Sequence, residues 1–250
     1  MAYNKINIIE DKIIYLFVKI AIPSSVGTVF MTLYNVVDTF FAGKISPNAL
    51  AALAQTFPVY FIIIALGVGL SIGTTSLMAN ALGEKNNKKA SYYFSQSIFL
   101  AIITAIIVSF AGIYFGPHII LLMNDSYETM LLSMEYLNII FIGSIFVFIQ
   151  MAINSSLTAI GDTKTNRNIL IVSFFLNILL NPLFIFGYGI IPPMGMQGIA
   201  ISTIVSQALG TIYIIYKFTK TDLRKFLYLN NFIPEIKILT DLLKQGVPAA

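Results

Sequence analysis

The sequence contains no cysteine, a single histidine and few charged residues for a chain of 250. The absence of cysteine excludes disulfides and thiolate metal sites. Asp, Glu, Lys and Arg make up 10% of the residues, against about a quarter in an average soluble domain. So few charges cannot cover the surface of a compact soluble fold of this size. The composition therefore excludes a soluble enzyme, a disordered tail and a nucleic-acid-binding module.

Apolar residues are in excess, at 57% of the chain, and they form six long runs. A bilayer core of about 30 Å needs about 20 apolar residues per helix. The runs do not alternate with period two, which disfavours a β-barrel, and backbone hydrogen bonding in lipid then requires helices. We expect an all-α integral membrane protein, a lobe of six transmembrane helices at about residues 20–43, 52–79, 93–115, 131–157, 169–188 and 198–216.

The basic residues fall on one side of these spans. Alternate loops carry Lys44, Asp125 and Glu128, and Lys19 lies at a span edge. By the positive-inside rule the basic side and both termini of this chain are cytoplasmic. We expect a cytoplasmic segment at 1–19, the membrane lobe at 20–216 and a cytoplasmic linker at 217–237. The 13 residues that set this orientation are Lys5, Lys12, Lys85, Lys88, Lys89, Lys164, Arg167, Lys217, Lys220, Arg224, Lys225, Lys237 and Lys244.

The two ends of the sequence resemble one another at a constant offset of 225 residues. EDKIIYLFVKIAIPSS near the start matches EIKILTDLLKQGVPAA at the end. One interpretation is a generic amphipathic lead-in before a membrane helix. The other is a parallel duplication of six-helix halves, as in many transporters, with residues 238–250 as the truncated start of a second lobe. The identities pair Glu10 with Glu235, Lys12 with Lys237, Lys19 with Lys244 and Pro23 with Pro248.

Polar residues inside the spans mark a candidate ion site. Asp38 is the acidic residue deepest inside a span, where a carboxylate costs several kcal/mol unless it is paired, hydrated or protonated. It is either an interfacial acid near Lys44 or, as we expect, a proton or cation site. Asn177 and Asn181 share a helical face, and Asn181 and Thr203 have a depth similar to that of Asp38. Their oxygens would suit Na⁺; the alternative is ordinary interhelical hydrogen bonding.

The second span contains GVGLSIG, in which Gly69 and Gly73 have the spacing of a close-packing helix face. The same residues match the G-x-S-x-G pattern around Ser71, which is typical of serine hydrolases. Such a nucleophile needs a base within hydrogen-bond reach, and the single histidine, His118, is expected on the other side of the membrane. We therefore expect no enzyme activity.

Several segments, in order along nearly the whole chain, resemble the multidrug and toxic compound extrusion (MATE) family. They are PSSVGTVFMTLYNVVDTFFAG, LAALAQTFPVYFIIIALGVGLSIGTTSLMANALGEKN, AINSSLTAIGDTK, NILLNPLFIFG and GIAISTIVSQ. The resemblance is greatest to the DinF-like and MepA-like bacterial exporters. It implies the amino-terminal half of a twelve-helix, two-lobe transporter in the bacterial cell membrane. It also implies exchange of Na⁺ or H⁺ for amphiphilic, often cationic drugs, without a cofactor and with a second six-helix lobe as partner.

The resemblance assigns roles to individual residues. Where close relatives often have Asp in the fifth-helix N-x-x-x-D pair, this chain has Asn181, so Asp38 is left as the lobe's sole acid well inside a span, and direct two-carboxylate proton coupling is disfavoured. The ion-coupling positions are Asp38, Asn177, Asn181 and Thr203, with Na⁺ expected on the first three, and the cavity-lining positions are Tyr34, Tyr136 and Asn154.

Three functions are therefore considered. The first is a secondary antiporter that exports drugs. The second is a lipid-linked oligosaccharide flippase, which should carry basic residues in its cavity for pyrophosphate, whereas the six spans lack Lys and Arg in their interiors. The third is a membrane subunit or fragment that does not transport.

Overall fold

A computed structural model describes residues 12–123, 126–226 and 229–249. Lys5, Glu10 and Asp125 lie outside the described residues. Within them the chain is helical, apart from short connections and one isolated bridge between Tyr188 and Ile191.

Six long helices account for most of the chain, and each overlaps one predicted span, with ends that differ by up to eight residues. The expectation of an all-α fold built from long, mostly apolar helices is therefore confirmed. The helices are α1 (Ile22–Ile45), α2 (Pro47–Gly83), α3 (Asn87–Met123), α4 (Tyr127–Ala159), α5 (Lys164–Phe186) and α6 (Met196–Phe218).

Local sequence signals set several helix ends. The Ser46 hydroxyl accepts a hydrogen bond from the Ala49 backbone at 3.0 Å, and Pro47 occupies the first turn, where its missing N–H costs nothing. At the other end of α5, Gly187 has a φ of +76°, a conformation that strongly favours glycine. This glycine ends the helix at Phe186, two residues before the predicted boundary at 188.

Among the described residues, five helices are long and apolar enough to cross a membrane: α2 to α6. The remaining long helix, α1, has 24 residues and so spans about 36 Å at 1.5 Å per residue. Its hydropathy is reduced by Tyr34, Asn35 and Asp38 near its middle. The polar residues of α1, which set it apart from the other five, are thus also the candidate functional ones.

Helix α4 lies at the centre of the bundle, in contact with α2, α3 and α6, while α5 packs against α1 and α6. In its most apolar stretch α4 is 56% buried, against 11% for α3. Large side chains exposed on α3, such as Phe110 and Tyr114, fit a surface that faces lipid chains. The candidate ion-site residues come from α1, α5 and α6, and their own side chains are buried within the bundle.

The loops divide the bundle into two ends. The end where α2, α4 and α6 finish carries most of the lysines and arginines and is called the basic end. The end where α1, α3 and α5 finish, near Lys44, is called the opposite end. That the basic end is cytoplasmic stays a prediction.

At the basic end the chain continues past α6 through two short 3₁₀ turns, Asp222–Phe226 and Leu229–Phe232, into an eleven-residue helix, α7 (Ile236–Gly246). A buried side chain on α3 fixes this connection. Gln96 donates hydrogen bonds to the carbonyls of Asn231 and Ile233, both at 2.7 Å, and accepts one from the Glu235 backbone at 3.0 Å.

Helix α7 lies against α2 at the glycines of GVGLSIG. A Cβ added to Gly73 would come 2.7 Å from the Leu242 carbonyl oxygen, and one added to Gly246 would come 2.7 Å from the Gly69 oxygen. The expected close-packing face is therefore confirmed, and its partner is α7. Ser71, between these glycines, accepts a hydrogen bond from the Ser155 hydroxyl at 2.9 Å. This contact is a second link between α2 and its neighbours in the bundle.

Candidate functional site

Asp38 lies on α1, about 10 Å from the residue at which this helix finishes, at the opposite end of the bundle. Its side chain is buried, with 5% of its surface exposed. Asn177 and Asn181 each donate an amide hydrogen to Asp38 Oδ1 at 2.9 Å, and the Thr203 hydroxyl donates to Oδ2 at 3.2 Å. The structure thus brings together all four residues expected at the ion-coupling site.

Helical spacing explains why these residues meet. Asn177 and Asn181 are one turn apart on α5, so both face α1. They are also joined to each other, because the Asn181 amide donates to Asn177 Oδ1 at 3.0 Å. Thr203 comes from α6, which packs against α5. Three helices thus supply one polar cluster, and its amides and hydroxyl are at most 1% exposed.

Ser202 completes the cluster, and sequence reasoning missed it. Its hydroxyl has one proton to donate and lies within hydrogen-bond distance of two acceptors, Asn181 Oδ1 and, at 2.8 Å, the Ile199 carbonyl oxygen. A signal was present, since Ser202 is a small polar residue beside Thr203 in an apolar span. However, adjacent residues on a helix point about 100° apart, so sequence position alone places Ser202 on a different helix face from Thr203.

The donors around Asp38 are all neutral, which defines the site's chemistry. An ionised carboxylate is satisfied by charge-assisted hydrogen bonds without a counter-charge. A proton on the carboxylate needs only the Thr203 hydroxyl to accept instead of donate. Direct coordination of Na⁺ by the asparagines requires their amides to turn and present Oδ1. Carboxylate, amide and hydroxyl oxygens are ligands that hard cations prefer, whereas the described residues contain no group of three or more His, Cys, Asp or Glu that would hold a metal.

A cavity of about 280 Å³ lies beside Asp38, between α1, α2, α4 and α6. Tyr34 and Tyr136, which were expected to line a cavity, are on its wall together with Thr203. Tyr60 and Thr56 of α2 also line it and were not anticipated. The Tyr34 hydroxyl is buried and has no hydrogen-bond partner among the residues described here. The cavity therefore places an unpaired hydroxyl close to the carboxylate.

Asn154 does not belong to this cavity. It lies on α4 eighteen residues beyond Tyr136, or about 27 Å along the helix, towards the basic end. Its Oδ1 is buried and unpaired in the described part of the chain. The structure thus separates Asn154 from the other six expected site residues.

Comparisons with known proteins identify the family that the chain as a whole is similar to. A family model described as MatE matches residues 23–183. A "Probable multidrug resistance protein NorM" of Thermotoga maritima is 30% identical over 236 residues, covering 93% of this chain and 50% of that protein. The "Multidrug export protein MepA" of Staphylococcus aureus is 26% identical over 230 residues, covering 92% of this chain and 50% of its own length.

A solved structure described as the outward-facing conformation of a multidrug resistance MATE family transporter of the MOP superfamily has the same fold. It superposes with a TM-score of 0.84 at 29% identity, covering 94% of this chain and 51% of that one. The chain spans about half the length of the curated relatives it matches.

Proposed function

Because this chain belongs to the MATE family of multidrug efflux transporters, we propose that it forms the amino-terminal lobe of a secondary antiporter. The antiporter exports amphiphilic, often cationic drugs and takes up Na⁺ or H⁺ in exchange. The observation that carries the proposal is the buried Asp38 carboxylate, held by neutral donors at the edge of a cavity. A buried ionisable residue in a membrane bundle is a functional feature by default, since its burial is costly.

In this proposal Asp38 binds the coupling ion, and Asn177, Asn181 and Thr203 provide the remaining ligands. The ion enters through the cavity lined by Tyr34 and Tyr136. Its occupancy shifts the equilibrium between two arrangements of the lobes, because the ion binds one arrangement more tightly than the other. The drug crosses in a larger cavity between this lobe and a second six-helix lobe, by alternating access.

The site supports both coupling ions through different movements. Protonation of Asp38 changes only the direction of the Thr203 hydrogen bond, whereas Na⁺ requires the two amides to rotate. With Asn181 where close relatives often have Asp, one carboxylate serves the lobe, and one monovalent ion neutralises it. We propose that the basic end, with both termini of the chain, faces the cytoplasm of a bacterial cell, as the positive-inside rule requires.

The test is efflux of ethidium or norfloxacin by the full-length protein with Asp38→Asn. The substitution keeps the shape of the side chain but removes its charge, so we expect gradient-driven efflux to fall to the background level. Efflux is measured in cells and in vesicles under imposed Na⁺ and H⁺ gradients.

Glu135→Gln is the matched control. Glu135 lies at a similar distance from the opposite end, on α4, but its side chain is exposed. We expect this variant to transport like the unmodified protein. Undiminished gradient-driven efflux by Asp38→Asn would refute the proposed role of the carboxylate.

A further inference from the structure

A second cavity, separate from the one beside Asp38, lies between α5 and α6 near the basic end. Its volume is about 420 Å³. Because Asn168 is four residues from the start of α5 and Tyr213 is five residues from the end of α6, the cavity begins about 6–8 Å inside the basic end. We call this cavity the α5/α6 groove. Its walls include Asn168, Val172 and Leu176 of α5 and Leu209, Gly210 and Tyr213 of α6.

The groove is open to the outside of the bundle, and its exposed walls are apolar. Val172 has 56% of its surface exposed and Leu209 has 46%. Both residues lie within predicted spans, at 169–188 and 198–216, and therefore at the depth of the hydrocarbon core. An apolar groove that opens sideways at this depth suits an acyl chain of a lipid.

The mouth of the groove, nearest the basic end, has a cation on each side. On α5, Arg167 donates hydrogen bonds from Nε and Nη2 to Asn168 Oδ1, at 3.2 and 2.8 Å. On α6, Lys217 Nζ lies 5.5 Å from the centroid of the Tyr213 ring. Asn168 and Tyr213 are themselves part of the groove walls. The two cations are thus tied to opposite walls at the same mouth.

The Arg167 guanidinium keeps its charge for a ligand. It takes part in neither of the two salt bridges that the described residues form. The acid nearest to it in the sequence, Asp162, accepts instead from the Thr165 backbone and hydroxyl, at 3.1 and 2.6 Å. A guanidinium has five N–H donors, and Asn168 accepts two of them. Arginine binds phosphate oxygens through paired N–H groups, so the remaining donors suit a phosphate.

We propose that the α5/α6 groove binds an anionic phospholipid of the leaflet at the basic end. The head-group phosphate lies between Arg167 and Lys217, and one acyl chain lies against Val172 and Leu209. Basic pockets between membrane helices are typical binding sites for anionic head groups. The proposal does not depend on the proposed antiport, although the lipid contacts two of the three helices that form the ion site.

The test is quenching of tryptophan fluorescence by brominated lipids, since this half contains no tryptophan. In the full-length protein any tryptophan of the other half is replaced by phenylalanine. Tyr213→Trp keeps an aromatic ring beneath Lys217 and places the reporter on the groove wall. Tyr216→Trp is the matched control reporter, because Lys220 Nζ lies 5.2 Å from the Tyr216 ring centroid and Tyr216 lies outside the groove. The bilayers mix phosphatidylglycerol with phosphatidylcholine, and either lipid carries the bromine.

We expect the preference for phosphatidylglycerol over phosphatidylcholine to be about five-fold greater at the Tyr213→Trp reporter than at the control reporter. This factor corresponds to one additional basic residue near an anionic lipid, at about 1 kcal/mol each. Combining Arg167→Gln with Lys217→Gln should lower the preference at the groove to that of the control reporter. Removing two exposed lysines elsewhere at the basic end, with Lys88→Gln and Lys220→Gln, should leave it unchanged.

Three results would overturn the proposal. Equal preferences at the two reporters would mean that the basic end attracts anionic lipid without a defined site. An equal fall with both pairs of charge substitutions would mean that the net charge, and not the groove, selects the lipid. If neither brominated lipid quenched the Tyr213→Trp reporter while the control reporter was quenched, the groove would be covered by protein, either a second lobe or a second copy.

Discussion

The half of the bundle near the opposite end joins its helices through polar side chains, whereas the basic half joins α2 to α7 through backbone at glycines. Around Asp38, hydrogen bonds of about 3 Å link α1, α5 and α6. At Gly73 and Gly246, contact is possible only because side chains are missing. Near the opposite end, binding of an ion can change the hydrogen bonds between α1, α5 and α6. In the basic half, the contact between α2 and α7 changes only if the two helices move apart as rigid bodies.

The largest effect is expected from Gly73→Leu. A side chain there meets the backbone of Leu242 and Gly246 within about 3 Å, and backbone cannot move aside as a flexible side chain would. We expect α7 to leave α2 and the protein to lose about 3 kcal/mol of stability, the upper part of the usual range for overpacking. The measurement is the thermal unfolding midpoint in detergent.

Gly83→Leu is the control for that substitution, since it lies at the end of the same helix with nothing within 4 Å of its added Cβ. We expect it to be neutral or slightly stabilising, because leucine favours helix over glycine. Equal losses for the two variants would mean that the glycines matter for helix geometry and not for contact with α7.

A smaller effect is expected from Asn177→Leu in the polar half. The substitution removes one donor from Asp38 and the acceptor of the Asn181 amide, which should cost about 1–3 kcal/mol. Unfolding is measured with and without Na⁺, and we expect any Na⁺-dependent stabilisation to disappear.

Asn154→Leu provides the comparison within the basic half, since the buried Asn154 oxygen makes no hydrogen bond with the described residues. Removing an unpaired buried polar group should be neutral or stabilising. If Asn154→Leu destabilised the protein as much as Asn177→Leu, the contrast between these two asparagines would be wrong.

The smallest effect is expected from Ser202→Ala. It removes a single bond to Asn181, and side-chain hydrogen bonds between membrane helices contribute about 0.6 kcal/mol on average. We expect a small loss of stability and a detectable change in the Na⁺ concentration dependence of efflux, since Asn181 becomes freer to rotate. Ser206→Ala, on the same helix with an unpaired buried hydroxyl, should change neither. A Ser202→Ala variant identical to it would remove Ser202 from the site.

The sequence predicts the long helices well because lipid leaves few alternatives to a helix for an apolar run of about 20 residues. It does not predict how far they continue. Helices α2 and α3 have 37 residues each, or about 55 Å, because polar residues beyond the apolar run are compatible with helix. The length of an apolar run reflects the thickness of the bilayer core, whereas capping residues and glycines determine where each helix ends.

Depth and helical spacing were sufficient to predict which polar residues meet around Asp38. Asp38, Asn181 and Thr203 lie at equal depth in three spans, and a four-residue step adds Asn177. Depth alone cannot give the rotation of a helix about its axis, and for that reason Ser202 and Tyr60 were missed. Asn154 was assigned by resemblance, and its position along α4 separates it from the cavity.

The anchoring of the connection by Gln96 has a consequence for biosynthesis. Among the described residues, those that fix α7 and its connection, from Gln96 to Gly69 and Gly73, precede it in the chain. Domains generally fold from the amino terminus as the ribosome delivers them. These contact residues are thus synthesised before α7 leaves the translocon, and α7 packs against protein that is already in the membrane.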